Sequence, residues 1–195
     1  MLEAETPSEA ESYSGKALWD WRVNDSSLVT FGVDAEKLDR DATRTRKMLS
    51  TGKTFTDHIW PDVSSENVGA FAELDFSTEG PGSVKIGARI DNASSDANAA
   101  DDMITLGPGN TDTIRNRYAE IYGDAARDTD RSETMFSGNI LFEYAVDETI
   151  MTYIGVGRTE RYPNQTELYF AFAPAPGGYL VGDPSLETEK KHENM

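Results

Sequence analysis

The chain has no cysteine. That removes a disulfide framework, a thiolate zinc site and a cysteine nucleophile. Histidine is almost as scarce. His58 and His192 are the only two, too few for a three-histidine metal centre. Cations are short as well: across 195 residues, 18 Lys and Arg stand against 35 Asp and Glu, a net charge of -17. A surface of that sign repels phosphate backbones and anionic lipid head groups, so nucleic acid is not an expected partner. No run approaches the roughly 18 consecutive apolar residues of a spanning helix. The opening MLEAETPSEAESY is acidic and carries no apolar stretch, so no secretory signal peptide is expected in this chain. Phosphate-cradling and nucleophile-elbow motifs are missing too, and no spacing singles out two carboxylates for glycoside chemistry. An enzyme is not expected.

What the chain does have is alternation of period two, the mark of strands with unlike faces. Ala17, Trp19, Trp21 and Val23 alternate with Lys16, Leu18, Asp20 and Arg22. After the turn-like Asn24–Ser27, Val29, Phe31 and Val33 continue the pattern. A second hairpin sets Val68, Ala70, Ala72, Leu74 and Phe76 against Val84, Ile86, Ala88 and Ile90, across a Gly/Pro turn at Ser77–Ser83. A third sets Ile140, Phe142, Tyr144 and Val146 against Ile150, Thr152, Ile154 and Val156, with a turn at Asp147–Thr149. In the second hairpin Glu73, Asp75, Lys85 and Arg89 fall on the opposite face from the aliphatic residues.

The connections alternate as well. Turns near 24–27, 77–83 and 147–149 are short, and links near 37–65, 93–133 and 161–186 are long. Long structureless loops are uncommon in compact domains. Outer-membrane β-barrels expect them: short turns at one end, long loops at the other, and strands of about 10 residues with an apolar outer and a polar inner face. The fold expected is therefore all-β, an antiparallel up-and-down transmembrane β-barrel segment of about six to seven strands, an incomplete barrel with long extracellular loops. The alternative is a soluble acidic β-sandwich binding module with long recognition loops, which would bury the aliphatic face beneath a second sheet. Trp19, Trp21, Tyr144 and Tyr153 read either as interfacial girdle aromatics or as ordinary core residues. Within the polar link 93–133, the stretch 113–126 is expected to form a short helix, because Ile114, Tyr118 and Ile121 or Tyr122 share a face.

From Tyr153 onward the chain reads YIGVGRTERYPNQTELYFAFAPAPGGYLVGDPSLETEKKHE. It resembles a segment of TonB-dependent outer-membrane receptors, in which Arg-aromatic-Pro-x-x-x-Glu-Leu precedes a long loop and Gly-Asn-Pro-x-Leu-x-x-Glu follows it. Arg161, Tyr162, Pro163, Glu167 and Leu168 match the first motif. Gly182, Asp183, Pro184, Leu186 and Glu189 match the second, with Asp183 in place of Asn. The stretches IWPDVSSENVGAFAELDF (59–76) and KIGARIDNASSDA (85–97) resemble the copper-receptor branch.

The resemblance implies residues 1–11 as the acidic end of a preceding loop and 12–195 as part of a receptor barrel, without the plug domain. It implies a parent protein in the cell outer membrane that imports a metal ion or metal chelate, copper or siderophore-type. The implied partners are outer-membrane lipid, the ligand, and the TonB complex acting through the plug. The family closes a barrel of about 22 strands, so this chain is expected to be an internal slice that does not transport alone. No bound cofactor is implied beyond the transported ligand. Copper relatives use soft sulfur and imidazole ligands, which makes Met48, His58, Met103 and Met135 the candidate ligands, against a packing role for each. Arg161 is expected to pair with Glu167 or Glu189 and fold the loop over the barrel end.

Overall fold

The computed structural model of the chain describes residues 2–107, 110–175 and 178–194. Strands β1 (Leu2–Glu5), β2 (Ser8–Asn24), β3 (Ser27–Met48), β4 (Thr54–Ser77) and β5 (Gly82–Ala97) come first. A small hairpin follows, β6 (Met103–Gly107) and β7 (Asn110–Thr113), then helix α1 (Ile114–Tyr122) and a 3-10 turn at Asp124–Arg127. Next are β8 (Arg131–Ala145), β9 (Met151–Arg161), helix α2 (Gln165–Tyr169), a second small hairpin of β10 (Ala171–Ala175) and β11 (Gly178–Val181), and β12 (Glu189–Asn194).

The main sheet runs β1-β3-β4-β5-β8-β9-β12, with β2 also paired to β3, and every pairing in it is antiparallel. β1 takes Thr45–Met48 of β3 and β2 takes Ser27–Ala42, so both lie along one edge of that strand. This is the up-and-down meander expected. The strands order by hairpin adjacency because each tight turn closes itself. Asn24 Oδ1 accepts the Ser26 N–H at 2.9 Å, Thr78 Oγ1 donates to the Gly82 carbonyl at 2.8 Å, and Asp147 Oδ1 accepts the Thr149 and Ile150 N–H groups at 2.7 and 2.9 Å.

Register puts all the aliphatic faces on one side. Trp19 pairs with Phe31, Phe31 with Ala72 and Ala72 with Ala88. One rung nearer the short turns, Trp21, Val29, Leu74, Ile86, Ile140 and Val156 form a continuous apolar row. No second layer covers this face among the described residues. Trp19, Trp21 and Ile154 stay 51%, 62% and 66% exposed. The sandwich alternative needs that face buried, and it is open.

The apolar band does not follow the rungs. On β3 and β4 it reaches up to Ala35 and Val68, which are partners. On β9 it stops at Val156, since Arg158 takes the next outer position. Its lower edge falls in parallel, from Phe76 on β4 to Ile150 beside β9. The slide is two to three rungs, or roughly four to six residues, over the three to four strand gaps that separate β4 and β3 from β9. At about 3.3 Å per residue and about 4.8 Å between strands, a level band then requires strands tilted by roughly 40–45°. A spanning barrel wall has that tilt.

The long links depart from the expectation of irregular loops. Residues 37–65 are mostly strand: β3 and β4 run on for 22 and 24 residues to a tight turn near 49–53. That is about twice what a tilted crossing needs. Residues 2–5 and 8–11, expected as the end of a loop, are likewise strand, paired against this extension. Alternation fails as a signal there because polar residues dominate both faces, and the few apolar ones, such as Phe55, Trp60 and Val63, do not recur at every second position. Pro61 is accommodated at a register shift opposite Arg40–Ala42, with Asp62 at φ 46°. The helix expected within 113–126 forms as α1, capped by Thr113, whose side chain accepts the Asn116 N–H at 3.2 Å. Ile114 and Tyr118 are its buried face, while Ile121 and Tyr122 stay exposed.

Candidate functional site

The inner face of the sheet is polar and cross-linked. Arg89 donates to both oxygens of Asp34 at 2.7 Å and to Asp91 at 2.7 and 2.5 Å, bridging β3 and β5 across β4. Lys16 and Arg89 sit over the Phe71 ring, 4.9 and 5.7 Å from its centroid. Gly32 makes room for this cluster: a Cβ there would lie 2.8 Å from Phe71 and 2.6 Å from the Ala17 carbonyl oxygen. Lower down, Lys85 faces Glu143 across β5 and β8 at 3.3 Å. Of the expected girdle aromatics, Trp19, Trp21 and Tyr144 belong to the outer face. Tyr153 pairs with Glu143 and therefore lies on the inner one.

The buried cores sit at the end of the sheet with the long connections. One gathers Val63, Ala97, Ala100, Leu168 and Tyr169, with Trp60 and Tyr162 against it. The other gathers Ile104, Ile114, Tyr118, Ala126 and Ala171, with Val181. Polar bonds knit the two together. Tyr118 Oη donates to the Tyr169 carbonyl at 2.6 Å. Tyr169 Oη lies 2.9 Å from the Thr129 carbonyl oxygen and 2.8 Å from Ser95 Oγ, which also meets Tyr162 Oη at 2.8 Å. Burial pushes the Tyr118 and Tyr169 hydroxyls well above the usual tyrosine range, so both stay protonated donors.

The two resemblance motifs converge in this cap. Arg161 forks between Glu167, at 2.8 and 3.1 Å, and Glu189, at 3.1 and 2.9 Å, so it pairs with both carboxylates considered for it. The Arg161 hydrogen bond and the Asn164 backbone N–H hold the Glu167 carboxyl below its ordinary value. Glu167 also closes a capping box with Asn164, whose side chain accepts the Thr166 and Glu167 N–H groups at 2.9 and 3.1 Å. Pro163 and Pro184 are buried, Leu168 is in the core and Tyr162 packs on it. Gly182 donates its N–H to the Phe170 carbonyl at 2.7 Å, and Asp183 donates to the Glu167 carbonyl at 2.8 Å. A Cβ at Gly182 would lie 2.6 Å from the Glu167 carbonyl oxygen, so the close approach needs glycine. Asp183 Oδ1 accepts the Ser185 N–H at 2.8 Å, the Asx turn that Asn would also make. Arg131 at the top of β8 donates to the carbonyls of Pro184 and Leu186 at 2.6 and 2.5 Å.

The candidate metal ligands are dispersed. His58 lies on β4, its Nε2 3.7 Å from Asp102 and its Nδ1 3.3 Å from Thr43 Oγ1. Met103 follows Asp102 in the chain and is exposed. Met48 closes β3, and Met135 is buried on the inner face opposite Asp91, roughly 30 Å from His58 along the strands. Among the described residues no three His, Asp or Glu side chains form a metal-holding group.

Sequence reasoning missed several residues that matter here. Gln165 donates from Nε2 to the Leu38 carbonyl at 2.7 Å and to Ser65 Oγ at 3.0 Å, pinning α2 to β3 and β4. Arg44 and Asp57 form a buried pair at 3.0 and 2.5 Å, with Arg44 stacked 4.4 Å from the Phe172 centroid. Asn164-x-x-Glu167 is a readable capping signature. The others are side chains without a motif, on polar strands or in the loop.

An antiparallel meander with a level apolar exterior, a charged interior and a capped end is the wall of an outer-membrane-type β-barrel. The model of the family "TonB dependent receptor-like, beta-barrel" matches residues 5–192, and the chain belongs to that family. Members are transporters rather than enzymes. Among solved structures, the chain is similar in fold to "Copper transporter OprC", with a TM-score of 0.63 and 21% identity over 83% of this chain. The chain spans 24% of that protein's length. No curated protein matches the sequence.

Proposed function

We propose that the chain forms part of the barrel wall and extracellular cap of an outer-membrane importer of a metal ion or metal chelate, with copper the favoured cargo. In this reading the short turns face the periplasm and the β3–β4 extension and α-helical cap face the medium. The TonB complex drives the parent protein through a plug domain. The wall alone leaves its first and last strands unpaired in hydrocarbon, and by itself it transports nothing. The carrying observation is the unbroken apolar outer face, registered across six strands and tilted as a spanning wall requires. His58 and Met103, brought near one another through Asp102, are the proposed soft contacts for cargo at the cap. Met48 and Met135 are proposed in packing roles.

Two measurements test this. In a Trp60→Phe variant, which leaves only the outer-face Trp19 and Trp21, lipids brominated along their acyl chains should quench most of the fluorescence once the chain is reconstituted in vesicles. Unquenched tryptophans would sink the wall assignment. For the cargo, copper(I) titrated under reducing conditions should shift the 13C-methyl resonance of Met103, and His58→Ala should abolish the shift. No saturable response would remove copper contact at the cap.

A further inference from the structure

Above the Gly138–Arg158 pair, β8 and β9 no longer follow the ladder. Glu160 enters the gap, its carboxylate accepting the Phe136 N–H at 2.8 Å. Below the leading turn of α2 this leaves an inner-face cavity of about 420 Å³, within the usual size of small-molecule sites. Its wall carries acceptors without donors. Gln165 is 4% exposed, and its Nε2 must face the Leu38 carbonyl, because a carbonyl can only accept. Its Oε1 is thereby turned away from that carbonyl and has no partner. By the same logic Asn67 gives Nδ2 to the Asp91 carboxylate at 3.1 Å, and its Oδ1 is also buried without a partner. Glu36 is the cross-strand partner of Asn67 on the same face, and no ion pair occupies it among the described residues. Arg89 is already committed to Asp34 and Asp91, and Arg161 to Glu167 and Glu189. Neither guanidinium satisfies the three oxygens. Met135 supplies an apolar side of the same cavity.

We propose that this cavity binds a primary ammonium group. Three unshared oxygens, one of them anionic, match its three N–H donors and its charge, while Met135 accommodates a short alkyl tail. The Gln165 and Asn67 oxygens are buried, and buried acceptors left unmatched are costly. The exposed Glu36 carboxylate at the mouth adds the anionic charge. A group that donates to both amides and carries a positive charge is therefore favoured over one that brings charge alone. This site is separate from the proposed cargo contacts at His58 and Met103, and it does not depend on the identity of the cargo.

The test uses the full chain reconstituted in vesicles, with 13C-methyl methionine, and n-propylammonium as probe. The Met135 methyl resonance should shift saturably, while the Met103 resonance should not. Tetramethylammonium, which has the charge but no N–H, should bind at least tenfold more weakly. So should propylammonium to Asn67→Leu and to Glu36→Gln, each checked for insertion by quenching of Trp19 and Trp21. The proposal is overturned if Met135 is unmoved in chain whose tryptophans are quenched, which would mean a cavity holding water only. It is equally overturned if tetramethylammonium or both variants match the parent response. Loss of tryptophan quenching would count instead against the wall assignment.

Discussion

Single residues in the cap divide into those that fold the loop and those that decorate it. Arg161 is largely exposed, so its two ion pairs contribute little. Arg161→Met should destabilise the cap by about 1 kcal/mol or less, read as faster amide exchange in α2. Gly182→Ala meets backbone on the Glu167 side and should cost about 1–3 kcal/mol in urea unfolding. Tyr169→Phe leaves a buried Thr129 carbonyl unsatisfied and should cost about 1–3 kcal/mol by the same measurement. Glu167 makes the cap pH-sensitive. Its folded pKa lies below the unfolded value of about 4.3, so the stability it adds is present above that value and fades as pH falls through the folded one. Protection of the α2 amides, corrected for intrinsic exchange, should fall below about pH 4, and the fall should be smaller in the Glu167→Gln variant.

At the scale of elements, the same strand obeys two rules along its length. Near the short turns β3 and β4 alternate sharply, because oil lies on one side and polar side chains on the other. Beyond Ala35 and Val68 polar residues dominate both faces, apolar ones such as Val63 and Trp60 are scattered, and pairing continues on backbone hydrogen bonds and charge pairs such as Lys37–Glu66 at 3.3 Å. The period-two pattern therefore disappears where the strand does not. This is why the extension read as a loop, while α1 was readable from Ile114 and Tyr118. The face rule makes a direct prediction. Ile140→Arg, near the middle of the apolar band on β8, should destabilise the chain in bilayers by about 2–4 kcal/mol. Asn139→Arg, one residue earlier and facing inward, should cost under about 1 kcal/mol. Equal costs in vesicle refolding would contradict the assignment of faces. At the far end of the β3–β4 hairpin, Asp57→Ala takes the Asp57 carboxylate from the buried Arg44 and should cost about 3–5 kcal/mol, confined to the cap.

At the scale of the whole molecule, the buried apolar clusters lie only in the cap among the described residues, and the wall has none of its own. Its outer face must be covered by something, and hydrocarbon is the cover that the level, tilted band fits. Polarised infrared spectroscopy of oriented bilayers should give strands inclined at roughly 40° to the membrane normal. A value near zero would refute the slide of the band across the rungs.

The amino-acid sequence alone determined the hairpins, their order and which face is apolar, because each follows from spacing within a few residues. It also determined the family, through Arg161-Tyr162-Pro163 and Gly182-Asp183-Pro184, since those motifs are local. Only the tertiary structure decided the strand extension, the tilt, the convergence of Arg161 on both glutamates, and the unpartnered oxygens of Asn67 and Gln165. Those depend on which residues meet across the chain, from 6 to 127 positions apart, and one-dimensional periodicity carries no record of such meetings.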